Sequence, residues 1–510
     1  MPSSQFVIIP TAIVLVVFLA IRRRYSARLH EIPGPFLASF SVLWQVWHVI
    51  KGDIEWESIR LHEKHGHFVR ISHKEVSVSH PDAIRAILLA PLRKADWYKV
   101  MALPDHRFQT PMSEVDPKRQ VARAKNIASA YTLTNLLKAE KYMDQLIELL
   151  VTRLGELADA QKPVEFDKWF NYMAFDIVGE LAFSSPFGFL ESGKDIGGSI
   201  ENTRVLTLYT AVAGFFGTLH QMTLGNPLVT KLGLMPSQHI FDTTLRAIEK
   251  RKSNPDVRLD MLEHWKRMVA KNSMEENELY GVTNMTIGAG ADTISATLQA
   301  FFYYLIRHPK HLDRVRAEVL SAKTSKVVSY AEAQGLPFLQ ACIKETQRMH
   351  PAVAFGLPRV VPKGGLTIGG RYFTEGTILS VNPWVIHRSK EFFGDDANEF
   401  NPERWLRPES RNLEKYYIPV LWSGDGEEET ASLIYCHFCF SQFGAGYNSC
   451  IGRNLALIEI SKVTATVLRD FDIRQVNPGQ SWKYESHFTA VPYGWPCYVT
   501  RRRNERCLIN

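Results

Sequence analysis

Cysteine is scarce. The 510 residues contain six, Cys342, Cys436, Cys439, Cys450, Cys497 and Cys507. So few, so irregularly spaced, make no disulfide framework and suit a reducing, cytosolic setting. Cys436-x-x-Cys439 has the spacing of a redox or zinc pair, but no second pair accompanies it. Low-complexity tracts and internal repeats are missing, which excludes solenoids and fibrous arrays. Also missing is a clustered basic stripe interleaved with aromatics. The net charge is only +7 and the basic residues are spread along the chain, so nucleic acid is excluded as a partner. A weakly basic surface suits an anionic membrane or an acidic protein. The sequon Asn284-Met285-Thr286 falls in a predicted buried helix and argues nothing for secretion.

Long uncharged apolar runs are missing with one exception, Phe6 to Ile21, FVIIPTAIVLVVFLAI. As a helix it spans ~24 Å at ~1.5 Å per residue, short for a bilayer but near the ~27 Å of a thin one. A cleaved signal peptide wants positive charge before the run and a small-residue site after it. Here Arg22, Arg23 and Arg24 follow it and no such site does. The expectation is a single-pass signal anchor over residues 1–24, N-terminus in the lumen of the endoplasmic reticulum and the rest cytosolic. Ile32-Pro33-Gly34-Pro35 cannot continue a helix, so residues 25–36 form a stiff elbow. Residues 37–510 form the globule, at 45% hydrophobic and 22% charged residues overall an ordinary composition, with enough chain to hide a sizeable cofactor.

Short alternating stretches, Phe68-Val69-Arg70-Ile71 and Val76-Ser77-Val78, predict a small sheet. From about 120 to 350 helical spacing dominates, as in Lys141 to Leu157 and in Leu298 to Leu320, which breaks at His308-Pro309. Residues 353–386 return to strands and turns, and the tail after Trp482 reads as a hairpin. The fold class expected is α-dominant α+β, a helical body with a small β region and one N-terminal anchor helix.

Four segments carry chemistry. The first runs from Phe443, Gly444 and Gly446 to Cys450 and Gly452, followed by a helix-like stretch. Glycines let backbone bend and approach a flat ligand. A cysteine just before a helix sits near its positive end, which favours thiolate. The second is Ala289-Gly290-Ala291-Asp292-Thr293 inside a long apolar helix. A glycine there costs about 1 kcal/mol against alanine and needs a reason, such as opening the groove for a diatomic ligand. Thr293 then donates a hydrogen bond and Asp292 relays protons. The alternative is a polar face with a small-residue packing site. The third is Glu345 and Arg348, three apart on one helix face. The fourth, Phe400-Asn401-Pro402-Glu403-Arg404-Trp405, brings a second arginine that completes a buried network, or is a plain turn.

These four in this order resemble the cytochrome P450 family over nearly the whole chain, supported by Leu305-Ile306-Arg307-His308-Pro309 and Pro358-Arg359. The anchor, arginine cluster and elbow resemble the microsomal kind, and the C-terminal half is similar to fungal secondary-metabolism members such as pisatin demethylases. The resemblance implies a P450-like fold, haem b, and one oxygen atom of O2 inserted into a small apolar substrate. It also implies electrons from NADPH through a separate flavoprotein reductase. It makes Cys450 the axial iron ligand, which a thiolate equips to favour O–O cleavage. Asp292 and Thr293 become the proton-delivery pair, Glu345, Arg348 and Arg404 a structural network, and Arg359 a haem-propionate partner.

The sequence departs from the family pattern in three places. Asn448 stands where an arginine usually meets a propionate, and Gln120 and Ala124 replace the usual Trp or His and Arg; Arg123 and Lys125 are the substitutes nearest in sequence. The third departure is a stretch of 23 residues, Val420 to Gln442. Without it the chain reads YYIPFGAGYNSCIG, an unbroken family match. Valine codons begin GT and one glutamine codon ends AG, the boundary signals of an intron, so the segment reads as a retained intron or else as a surface insertion.

Three functions compete. The first is a monooxygenase of a small apolar natural product. The second is a haem-thiolate isomerase or dehydratase without oxygen activation, against which the Asp292–Thr293 pair argues. The third is an inactive membrane-anchored homologue. The substrate pocket is expected among residues 97–115, Ala289, Val353 to Leu357 and Ala490 to Pro492, whose apolar character equally fits core packing.

Overall fold

A helix of 32 residues, Glu276–Arg307, runs through the middle of the molecule and decides what surrounds it. It is apolar on nearly every side, as a helix must be when other elements enclose it. Helices Phe166–Phe183, Pro337–Met349 and Arg453–Asp470 pack against it. Phe166 and Phe170 stack on its Phe302, with ring centroids 5.9 and 5.7 Å away. The helix stops where His308-Pro309 predicted, and Pro309 opens the next one, Pro309–Ser321, its missing N–H being an unpaired donor there anyway.

The computed structural model describes residues 3–235, 238–253, 258–417 and 446–502. The stretch 420–442, Phe443, Gly444, Cys436, Cys439 and Cys507 lie outside the described residues.

The strands are β1 (Phe68–Arg70), β2 (Glu75–Val78), β3 (Arg359–Val360), β4 (Leu366–Ile368), β5 (Arg371–Phe373), β6 (Ile378–Ser380), β7 (Phe471–Gln475), β8 (Lys483–Ser486), β9 (Ala490–Tyr493) and β10 (Cys497–Arg501). The larger sheet has the order β1-β2-β6-β3, with only β2 and β6 parallel. The hairpin predicted after Trp482 is β8–β9, and β10 pairs with β7. A helix-rich body with small sheets is the architecture the sequence pattern predicts.

At the N-terminus, residues Ser3–Tyr25 form a helix. The side chains of residues 6–10, 12, 13 and 16 lie outside the described ones. Val14, Leu15, Val17, Phe18 and Ile21 are exposed. Among the described residues no helix is long and apolar enough to cross a membrane, so the expected anchor is not established by the structure.

Past the helix, the elbow lies against β1. The Arg70 N–H donates to the Pro33 carbonyl (2.8 Å), and a Cβ on Gly34 would meet the Arg70 carbonyl oxygen at 2.1 Å, so only glycine fits. The buried Arg70 guanidinium reaches back to donate to the carbonyls of Arg24 (2.7 Å), Arg23 (2.9 Å), Ser39 (3.2 Å) and His73 (3.1 Å). The first two belong to the last turn of the helix Ser3–Tyr25, where intrahelical donors run out.

Candidate active site

The cysteine loop is built for close approach. Gly446 has φ 59°, a conformation that costs other residues, and a Cβ there would lie 3.1 Å from the Leu88 carbonyl oxygen. A short 3₁₀ turn, Gly446–Asn448, follows. The Ser449 N–H donates to the Gly446 carbonyl (3.1 Å) and the Arg453 N–H to the Cys450 carbonyl (3.4 Å), leading into helix Arg453–Asp470. Cys450 is exposed while Cys342 and Cys497 are buried. Its thiol is accessible but deep among protein atoms, and burial pushes it up, against the N–H of Gly452 and the charge of Arg453. The helix start thus opposes burial without overcoming it. A positive ligand is what turns such a thiol into thiolate.

Beneath the loop lies Tyr131. A Cβ on Gly452 would be 3.8 Å from the Cys450 Sγ and 3.9 Å from Tyr131 Cε1. Burial pushes the Tyr131 phenol up, with Cys450 adding to the effect, and its hydroxyl meets Thr286 Oγ1 of the central helix at 2.8 Å. The Asn454 amide donates to the Tyr131 carbonyl (3.0 Å). This grouping of Cys450, Tyr131 and Thr286 was not legible in the sequence, because its three members share no local pattern.

Apart from its ends, the central helix opens most at its middle, where Gly288, Ala289, Gly290 and Thr293 are partly or fully exposed amid buried neighbours. A Cβ on Gly288 would meet nothing within 4 Å, while one on Gly290 would press on Val178 Cγ2 at 2.7 Å. The two glycines therefore differ: one keeps space open, the other lets two helices touch. The Thr293 hydroxyl donates to the Ala289 carbonyl (3.1 Å). Asp292 is buried, one carboxyl oxygen lacks any donor, and burial pushes its carboxyl up to about 6. A buried acid poised near neutrality is suited to passing a proton.

Glu345, Arg348 and Arg404 come together in the core. Arg348 holds both carboxyl oxygens of Glu345 (2.9 and 2.8 Å), Arg404 donates to it at 3.1 Å, and the Trp405 indole at 2.8 Å. Their guanidinium N–H groups also donate to the carbonyls of His387, Phe393, Asp396, Ala397 and Glu399, and Arg404 donates to the Asp396 carboxylate (3.1 Å). A salt-bridge pair of this kind persists in a core only when such extra bonds satisfy it.

Arg123 pairs with Glu114 (3.4 Å) and Glu278 (2.6 Å), and Lys125 is exposed. Arg359 is buried and donates to the Tyr98 hydroxyl (3.3 Å) and the Pro358 carbonyl (3.0 Å), with its Nε unpartnered. Both amide atoms of Asn448 and the amide oxygen of Gln120 are buried without partners. The cation beside Arg359 is Lys94, which the sequence reading passed over.

Of the expected pocket residues, Trp97, Tyr98, Val115 and Phe355 share one cluster with Ala211. Trp97 stacks on Phe355 with centroids 4.8 Å apart. Clefts of about 460 and 450 Å³ lie elsewhere, one beside Trp56 and Arg388, the other beside Arg469 and Arg501. Neither is lined by Cys450, Asp292 or Thr293.

The family model described as Cytochrome P450 matches residues 33–491. The chain is 31% identical to a pisatin demethylase of Fusarium vanettenii, over 95% of this chain and 91% of that protein. It is 30% identical to a cytochrome P450 monooxygenase of Penicillium aethiopicum, over 94% and 95%, and 30% identical to one of Aspergillus flavus, over 93% of each.

Proposed function

The chain belongs to the cytochrome P450 family and is an enzyme of its monooxygenase type, and on that premise we propose that it oxidises a small apolar molecule of fungal secondary metabolism, with Cys450 as the residue that would hold the haem iron. The family implies a haem-thiolate and a redox partner. The proposal makes the cofactor haem b and the partner an NADPH-dependent flavoprotein reductase. Similarity to a protein named a demethylase and to others named monooxygenases supports oxidative chemistry on a small molecule.

The observation that carries the reading is Cys450: accessible, set at a helix start, and enclosed by protein, unlike the two other described cysteines. Unpartnered buried polar atoms at Asn448 and Arg359 fit a flat cofactor bearing carboxylates. Bound there, haem supplies the activation of dioxygen that the reaction needs. The chain's part is to hold the thiol in place through the Gly446 turn, to keep the Gly288–Ala289 face open, and to pass protons from Asp292 toward Thr293. For that, the Thr293 hydroxyl turns away from the Ala289 carbonyl.

Reduced protein treated with carbon monoxide is expected to show a strongly red-shifted Soret band that Cys450→Ser abolishes. An unshifted band in the unmodified chain would sink the assignment. Substrate-dependent NADPH oxidation with added reductase separates a monooxygenase from an isomerase, which turns over without it.

Two further parts of the reading concern the ends of the globule. Residues 1–24 are proposed as a single-pass anchor to the endoplasmic reticulum, supported by the exposed apolar side chains of Val14, Leu15, Val17, Phe18 and Ile21 and by Arg22–Arg24. Alkaline carbonate extraction checks it: the full chain stays in the pellet, and a chain lacking residues 1–24 is released or much easier to extract. Residues 420–442 are proposed as a retained intron, supported by the unbroken family match left on their removal. Transcript sequencing across the junction decides; a dominant message that keeps the segment overturns the idea.

A further inference from the structure

Lys94 and Arg359 oppose each other across an isolated antiparallel bridge. The bridge is pinned by the Ala95 N–H on the Pro358 carbonyl (3.2 Å) and the Val360 N–H on the Arg93 carbonyl (2.8 Å). Opposed residues carry their side chains on one face, Cβ atoms about 5 Å apart. Both are buried, at 3% and 2% exposure. The Lys94 ammonium lies 5.2 Å from the Tyr98 ring centroid and the Arg359 guanidinium 5.6 Å from it.

Neither cation has an ion-pair partner among the described residues. Lys94 donates only to the carbonyls of Pro111 (2.7 Å) and Met112 (3.0 Å). Glu114, the carboxylate that acts on Lys94, is held by Arg119 and Arg123. Burial and the Arg359 charge bring the Lys94 ammonium down to about 7. Two buried like charges without an anion are a costly arrangement for a core, and an anion placed between them relieves it.

That place adjoins the cysteine loop. The loop's Tyr447 hydroxyl donates to the Leu92 carbonyl, two residues before Lys94. Next to it stands Asn448, its buried amide close enough to act on the Tyr447 hydroxyl but with no well-formed hydrogen bond on either atom. We propose that Lys94, paired with Arg359 and assisted by the Asn448 amide, binds a propionate of the haem, in place of the arginines absent at 124 and 448. The proposal rests on the haem-thiolate reading.

The test uses the full haem-loaded chain. Lys94→Gln is expected to release haem to excess apomyoglobin about tenfold faster or more, the scale of one charged hydrogen bond. It is also expected to shift the propionate-bending band in resonance Raman while keeping the thiolate signature with carbon monoxide. Lys94→Arg restores the slow release. Asn448→Asp, which brings a second negative charge to the propionate, also accelerates release and serves if the lysine variant does not fold. Release rates and a Raman band unchanged in both variants overturn the proposal while the haem-thiolate reading stands. A parent chain without the thiolate signature overturns both.

Discussion

Burial holds Asp292 protonated up to about pH 6, with one carboxyl oxygen lacking a donor. The sign of its effect on stability follows. A carboxyl whose folded pKa lies above its unfolded one stabilises the fold below the unfolded value, and that stabilisation is lost as pH rises through the folded value. Asp292→Asn is therefore expected to raise stability at pH 7 by up to roughly 3 kcal/mol, at ~1.4 kcal/mol per pH unit. The gain should shrink to nothing between about pH 6 and pH 4. Urea unfolding at several pH values checks it, and a loss of turnover in the same variant separates proton delivery from stability. Glu345 behaves in the opposite sense. Burial pushes it up, but Arg348 and Arg404 together bring it below the ordinary carboxylate range, so its contribution is lost as pH falls. Glu345→Gln leaves the buried Arg348 guanidinium without its anion, while Arg404 keeps the Asp396 carboxylate, and roughly 3–5 kcal/mol of destabilisation is expected in thermal or urea melts.

At the scale of the element, the central helix carries two glycines with different duties. Gly288→Ala meets open space, so helix propensity alone acts and stability rises by up to about 1 kcal/mol. Gly290→Ala forces a methyl onto Val178, and a net loss of about 1–3 kcal/mol is expected from overpacking. Melting the two variants side by side checks this; equal shifts would show that the helix pair gives way. The sequence reading singled out Gly290 but could not tell packing from opening, because that depends on Val178 of a distant helix. The breaks at His308-Pro309, the β1–β2 pair and the Glu345–Arg348 spacing were legible because proline, alternation and helical period are local. Lys94 was not. A lone lysine between Arg93 and Ala95 has no pattern, and only its bridge to Arg359, far along the chain, gives it neighbours.

Across the whole molecule, the N-terminal helix Ser3–Tyr25 and the globule meet at Arg70, whose guanidinium occupies the Arg23 and Arg24 carbonyls and those of Ser39 and His73. Gly34 lets the elbow lie flat on the same strand. Arg70→Ala is expected to free the helix. In bilayers, polarised infrared spectra of the full chain should then show a broader spread of helix orientations, with the haem signature unchanged; an unaltered spread would mean the elbow alone suffices. A helix fastened in this way acts as a mast and not a leash. Any surface that took up the helix would also set the tilt of the globule, because Arg70 and the Arg24 guanidinium on Ser39 Oγ hold the two at one angle.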